Sequence, residues 1–165
     1  MDQIATTLHN ATGIIVADDD PVILHVLRGM LESIKQDVHL ADDGLEAVAL
    51  ASRMTASLII LDLKMPELDG LQACARIRAL PGYDSTPIVI LTFDDGENAQ
   101  VAASRAGATM FLVKPFSAAA LMLALSRFLP IDDAMQQEIH ANAVRASGGR
   151  VFRRTPSGGS RSEPA

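Results

Sequence analysis

The chain has 165 residues, a net charge of −6 at neutral pH, 48% hydrophobic residues, no Trp, one Tyr and five Phe. That length holds one domain with a sizeable core and some excess, and so few aromatics make the core aliphatic, which suits a sheet covered by helices. The negative charge argues against direct nucleic-acid binding by bulk electrostatics, and a single cysteine, Cys74, excludes an intrachain disulfide.

Met1 to Asn10 lacks the basic-then-apolar layout of a signal peptide. The most apolar later run, Ala118 to Leu125, is too short to span a bilayer. The expectation is a soluble, cytoplasmic protein without membrane contact.

Gly13 to Ala17 is the first buried-strand run, and Asp18-Asp19-Asp20-Pro21 ends it. Pro21 suits the first turn of a helix, where its missing N–H costs nothing. The helix that follows puts Val22, Ile23, Val26, Leu27, Met30, Leu31 and Ile34 on one predicted face. Asp37 to Ala41 is a second, weaker strand. Asp42-Asp43-Gly44 turns into a helix carrying Leu45, Val48, Ala51 and Met54. Leu58 to Leu61 then runs straight into Asp62, and Pro66 and Gly70 mark the turn beyond it. Such a run reads as a strand buried on both faces. On its own, Asp62 reads equally as a turn residue or as a functional acid at the carboxyl edge of a sheet.

Leu71 to Leu80 is a helix closed by Pro81-Gly82, with Cys74 on it as a small core hydrophobe. Pro87 to Thr92 is the fourth strand. A helix runs from the Asp94-Asp95-Gly96 turn to about Ala106, where Gly107 suits its C-terminal end. Met110 to Val113 is the fifth strand, ended by Lys114-Pro115, and Ser117 caps a helix to about Phe128. Five strand-then-helix units imply a doubly wound α/β fold: a five-stranded parallel sheet with right-handed crossovers and helices on both faces.

The predicted domain is therefore 12–128. From Asp132 to Ala146, with Ile131, Met135 and Ile139 spaced by four, the pattern fits a short amphipathic helix or linker. Residues 147–165 have the Gly, Ser, Pro and Arg composition of a disordered tail.

Asp18, Asp19 and Asp62 all fall at carboxyl ends of strands, as do Thr92 and Lys114. In a sheet of order 2-1-3-4-5 the three acids converge on one edge. Clustered carboxylates repel one another unless a cation neutralises them, and an all-oxygen site suits Mg²⁺. His9, His25, His39 and His140 have no ligand spacing that would point to zinc. The chemistry that fits is phosphoryl transfer to a carboxylate, with Asp62 as nucleophile. Lys114 and the metal would neutralise charge on the phosphoryl oxygens, and Thr92 would donate a hydrogen bond to one of them.

These residues give the chain a resemblance to the response-regulator receiver domain of two-component signalling. The matches are Asp18-Asp19, Asp62, Met65-Pro66 with Gly70, Thr92, and Lys114-Pro115-Phe116, over about Thr12 to Phe128. The resemblance implies a flavodoxin-like fold similar to the chemotaxis regulator. It implies that Asp62 takes phosphate from a phosphohistidine on a histidine kinase or phosphotransfer protein. Asp19, Asp62 and the Lys64 backbone carbonyl would hold Mg²⁺ directly, and Asp18 partly through water. Thr92 and Phe111 match the family's switch pair, the Lys114–Pro115 bond would be cis, and the readout face would be the fourth helix, fifth strand and fifth helix. Such a protein is not an enzyme beyond its own phosphorylation and dephosphorylation, and its output is contact with a downstream protein target.

Departures from the family pattern surround the site. Phe93 replaces the usual small residue after the threonine, where a ring would crowd the phosphoryl group or slow attacking water. Lys64 and Asp94 occupy flanking positions that modulate dephosphorylation, and a Lys64–Asp94 pair across the mouth is expected. Thr109-Met110 stands where DNA-binding relatives often carry an acidic pair. Two alternatives remain: a receiver cut from a longer regulator with an output domain, and a phosphatase with an aspartate nucleophile. The second is disfavoured, because such enzymes want an acid where Lys64 stands.

Overall fold

The computed structural model describes residues 12–147. Its elements are β1 (Thr12–Ala17), α1 (Pro21–Ser33), β2 (Val38–Ala41), α2 (Gly44–Arg53) and β3 (Thr55–Asp62). Then follow α3 (Gly70–Arg78), β4 (Ile88–Thr92), α4 (Glu97–Ala106), β5 (Met110–Val113), α5 (Ala118–Ser126) and α6 (Asp133–Ser147). The expected termini, His9 among them, and the tail beyond residue 147 lie outside the described residues.

The five strands form one parallel sheet in the order β2-β1-β3-β4-β5, the doubly wound arrangement expected. The unbroken apolar runs follow from its two covered faces, since alternate residues of one strand enter different cores. Ile15, Ala17, Ile59, Leu61, Ile88 and Ile90 pack beneath α2, α3 and α4. Ile14, Val16, Leu58, Ile60, Val89 and Leu91 pack against α1 and α5.

Three expectations need correction. β3 starts at Thr55, three residues before its apolar run, and its exposed Thr55 and Ser57 alternate with buried Ala56. Between Gly13 and Ile14 the β1–β3 pairing skips Ser57, so one extra residue of β3 is bulged. On α1 the sheet takes Leu24, Leu27 and Leu31, whereas Val22 and Val26 are exposed. The helix carries more aliphatics than one face holds, and the period alone does not choose between overlapping stripes. On α2 the buried residues are Gly44, Ala47 and Ala51, with Leu45 exposed. Cys74 is fully buried, as expected of a core residue. Burial pushes its thiol up to about 11, against the opposing pull of Arg78.

The amino-terminal edge of the sheet is pinned by two side chains. The Tyr83 hydroxyl donates to the Met54 carbonyl (2.7 Å) and accepts from the Ala56 N–H (3.1 Å). Arg78, at the end of α3, donates to the carbonyls of Gly107 (2.8 Å), Thr86 (2.7 Å) and Tyr83, and to the Thr109 hydroxyl (3.2 Å). One guanidinium thus ties α3 to the turns that lead into β4 and β5. The opposite edge stays free for the charged residues.

Candidate functional site

The site occupies the carboxyl edge, where apolar strands give way to charged turns. After β1, Asp20 caps α1 by accepting from the Val22 N–H (2.8 Å), and Pro21 sits in the first turn. Asp18 accepts from the Asp20 N–H through Oδ1 (2.9 Å), which fixes its carboxylate at the strand end. Asp18 is 1% exposed, and Asp19 faces outward.

Asp62 is the last residue of β3. The chain then loops through Leu63 to Asp69 and returns so tightly that the Gly70 N–H donates to the Leu63 carbonyl (2.9 Å). A Cβ on Gly70 would lie 2.2 Å from the Asp62 carbonyl oxygen, so glycine is required for this return. Asp69 and Gln72 form a reciprocal cap on α3. The loop is thus pinned where it begins and where it ends.

Lys114 follows β5, and its N–H donates to the Thr92 carbonyl (2.6 Å). Its ammonium is buried between two acids, 3.0 Å from Asp18 Oδ2 and 2.8 Å from Asp62 Oδ1. The Lys114–Pro115 bond is cis. Carboxylate oxygens of Asp18, Asp19 and Asp62 all lie within 4.8 Å of one another, a spacing that fits a divalent cation. The all-oxygen donor set is of the kind Mg²⁺ takes.

Two carboxylates therefore pair with one ammonium, and a third stands beside them. Burial pushes the Asp62 carboxyl above its ordinary range. Asp18 and Asp19 push the same way, and the Lys114 hydrogen bond only partly offsets them. Lys114 also moves up: burial disfavours its charge, but the hydrogen bonds to Asp62 and Asp18 together outweigh that. In an isolated exposed pair the acid would move down. Here burial, with the neighbouring acids adding to it, decides the direction, and the excess of carboxylates suits a cation.

The remaining predicted residues lie around this centre. Thr92 ends β4, 2% exposed, and its hydroxyl accepts from the Asp94 N–H (3.0 Å). Phe93 is 75% exposed and its ring centroid stands 5.3 Å from the Lys114 ammonium. The ring lies at the rim of the site, against the lysine, rather than inside it. Phe111 is buried in β5, paired in register with Ile90. The expected Lys64–Asp94 pair is not formed: among the described residues no ion pair joins them. Asp94 instead accepts from the Gly96 N–H (2.9 Å), shaping its own turn, and Lys64 is exposed. Sequence reasoning missed Gly70 as a steric requirement, although its place in the turn was visible.

A parallel α/β sheet that gathers acids and a lysine at its carboxyl edge defines a class of phosphoryl-accepting signalling modules. Residues 14–126 match the response regulator receiver domain, and the chain belongs to that family. It is 37% identical over 126 residues to the response regulator MprA of Mycobacterium leprae, covering 74% of this chain and 54% of that protein. It is 33% identical over 120 residues to the histidine-protein kinase BarA of Escherichia coli K12, covering 73% of this chain and 13% of the kinase. The chain thus spans about half of one of these relatives and a small part of the other.

Among solved structures it resembles the chemotaxis response regulator CheY4 of Vibrio cholerae (32% identity, TM-score 0.68, 72% of this chain and 98% of that one). It also resembles the receiver domain of the Pseudomonas aeruginosa sensor kinase PA1611 (34%, TM-score 0.64, 72% and 98%), a structure with magnesium coordinated in its active-site cleft. Receiver domains are signalling modules that work with histidine kinases and downstream effectors. Among the described residues no helix is long and apolar enough to cross a membrane.

Proposed function

We propose that the chain is a phospho-accepting response regulator in the cytoplasm, with Asp62 as its acceptor. An Asp62 carboxylate oxygen forms the new O–P bond as the P–N bond of a phosphohistidine breaks. The imidazole nitrogen keeps the bonding pair and takes up a proton. Asp19, Asp62 and the Lys64 carbonyl, with Asp18 in support, would hold Mg²⁺, which supplies positive charge against the phosphoryl oxygens when bound. Lys114 is within reach of the same oxygens, and Thr92 donates a hydrogen bond to one of them. The observation that carries this reading is the Lys114 ammonium, held 2.8 Å from Asp62 and 3.0 Å from Asp18 with a third acid alongside.

The output follows from added charge. A phosphoryl group brings about −1.5 to −2 charges and strong acceptor oxygens, and favours the conformer that brings Thr92 and Lys114 nearest. It can bias only an equilibrium already present. On the α4–β5–α5 face, α4 suits such a shift, because Ala103 is its one fully buried residue and its first turn lacks a side-chain cap. Thr92 and Phe111 would move together as the family's pair does, and the altered face would contact a downstream protein. Phe93, stacked at Lys114, covers the site from water and prolongs the phosphorylated state.

Incubation with Mg²⁺ and an acyl phosphate, followed by intact mass, tests the central step. The expected result is one phosphoryl adduct on wild type and none on Asp62→Asn. An adduct of equal yield on both proteins would place the acceptor elsewhere.

A further inference from the structure

The fold sorts the chain's charges onto two opposite edges. Each helix that packs on the sheet starts at the carboxyl end of one strand and finishes near the amino end of the next. Acids favour helix N-termini and bases favour helix C-termini. Three acids stand at each of the crossings after β1, β2, β3 and β4, counted from the strand's last residue through the first turn of the next helix. The same stretches, with the crossing after β5, hold two bases, Lys64 and Lys114. At or just beyond their far ends, α1 to α5 carry Lys35, Arg53, Arg78, Arg105 and Arg127. The turns from there into the strands hold two acids, Asp37 and Asp84.

Local structure accounts for part of the acidic edge. Asp20, Asp43 and Asp69 cap helices, and Asp94 accepts from the Gly96 N–H. It does not account for Asp42, Glu67 and Asp95, which are exposed and whose carboxylates make no hydrogen bond or ion pair among the described residues. The bases do not cancel the acids either. Lys114 is buried against Asp18 and Asp62, which leaves Lys64 as the one exposed base of this edge among the described residues. Helix N-termini add roughly +0.5 charge each, and a divalent cation adds two, so the excess stays negative. Inside this collar the Phe93 ring is 75% exposed beside Lys114. An exposed aromatic within a charged rim suits contact with another protein's surface.

We propose that the carboxyl edge selects its phosphodonor by charge: it favours a protein whose phosphohistidine is flanked by Lys or Arg, and disfavours small anionic donors. The inference rests on the phospho-acceptor reading of Asp62. The transfer itself is unchanged, with the P–N bond broken and the O–P bond to Asp62 formed. The collar sets the encounter. A region lined by one sign of charge raises the local concentration of oppositely charged partners and speeds their association by about 10- to 1000-fold. A cationic donor is drawn to the acidic edge and away from the basic one. An acyl phosphate, itself an anion, meets repulsion at the same rim.

The test uses the full chain, saturating Mg²⁺ and three donors. These are an acyl phosphate and two phosphohistidine peptides, one with lysine flanks and one with glutamine flanks. Intact mass follows the second-order rate of transfer at low and high NaCl. At low salt the lysine peptide is expected to react about tenfold faster than the glutamine peptide. Salt, which cuts the screening length to about 8 Å at roughly 0.15 M, should bring that ratio towards one and speed the acyl phosphate. The triple variant Asp42→Asn, Glu67→Gln, Asp95→Asn should lower the low-salt ratio about threefold, with its glutamine-peptide rate kept. Should that variant lose transfer from every donor, the wild-type comparison decides by itself. Equal peptide rates at low salt, or a ratio that neither salt nor the variant lowers, overturn charge selection and leave the acceptor reading standing. No transfer to Asp62 of wild type from any donor overturns both.

Discussion

Replacing Gly70 by alanine tests whether the return loop places Asp62. The added Cβ would lie 2.2 Å from the Asp62 carbonyl oxygen and 3.1 Å from Leu63 Cα. Side-chain β-carbons essentially never come closer than 3.0 Å to another heavy atom, so at least 0.8 Å of movement is forced. Neither partner is a flexible side-chain end. The oxygen belongs to a residue of the central strand, and Leu63 is held by its N–H to the Leu91 carbonyl (2.7 Å). The strain is therefore shared between α3, which backs away, and Asp62, which is pushed. Overpacking of this size costs about 1–3 kcal/mol, at about 2–4 °C of melting temperature per kcal/mol in a chain of this length. A displacement near 1 Å at a reacting group lowers rates by about a hundredfold. Thermal melts and the rate of Mg²⁺-dependent phosphorylation by an acyl phosphate read the two effects. A Gly70→Ala protein that melts within 1 °C of wild type, as in ~0 kcal/mol of added strain, and accepts phosphate equally fast would refute the close-approach argument.

Three further outcomes are expected. Burial raises the Asp62 pKa, so its ionisation weakens the fold, and this penalty is absent below the ordinary value of 3.8, grows as pH rises beyond it and is complete once pH has passed the raised one. Asp62→Asn should thus be more stable than wild type at pH 7 without Mg²⁺, with the gap closing as pH falls towards 3.8; equal denaturation midpoints at neutral pH would contradict it. Phe93→Ala removes a ring 5.3 Å from the Lys114 ammonium, a contact of about 0.5–1 kcal/mol at an exposed site. Its phosphoryl lifetime should shorten about two- to fivefold, and an unchanged or longer lifetime in a dephosphorylation time course would remove the cover role. Arg78→Ala strips donors from three carbonyls and a hydroxyl and should cost about 2–4 kcal/mol. The readout is a lower urea midpoint, with beryllofluoride binding preserved at the far edge of the sheet.

How much of this was legible in the sequence depends on where each signal is stored. β1, β4 and β5 read almost residue for residue, because strands buried on both faces are written as unbroken aliphatic runs. β3 lost its first three residues to the reading: Thr55 and Ser57 face outward, and Met54 ends α2 with no intervening turn. The acids and Lys114 were visible because each interrupts an apolar run at the strand end. Their convergence required only the strand order. The Arg78 clamp left no such mark. Its acceptors lie 5 to 31 residues away and meet only in the folded chain, so locally it resembles any surface arginine near a helix end. The Lys64–Asp94 pair failed for a related reason: spacing placed both residues at the mouth, but the Asp94 carboxylate is engaged by its own turn.

Tyr83 has a practical consequence. It is the chain's one tyrosine, there is no tryptophan, and its hydroxyl bridges Met54 and Ala56 where β3 begins. Six residues of strand separate Ala56 from Asp62, about 20 Å at roughly 3.3 Å per residue. The chain's intrinsic ultraviolet emission therefore originates at the end of the sheet remote from the acids. It follows the melting of that edge and is insulated from events at Asp62, which gives folding and phosphorylation separate optical channels in one unlabelled molecule.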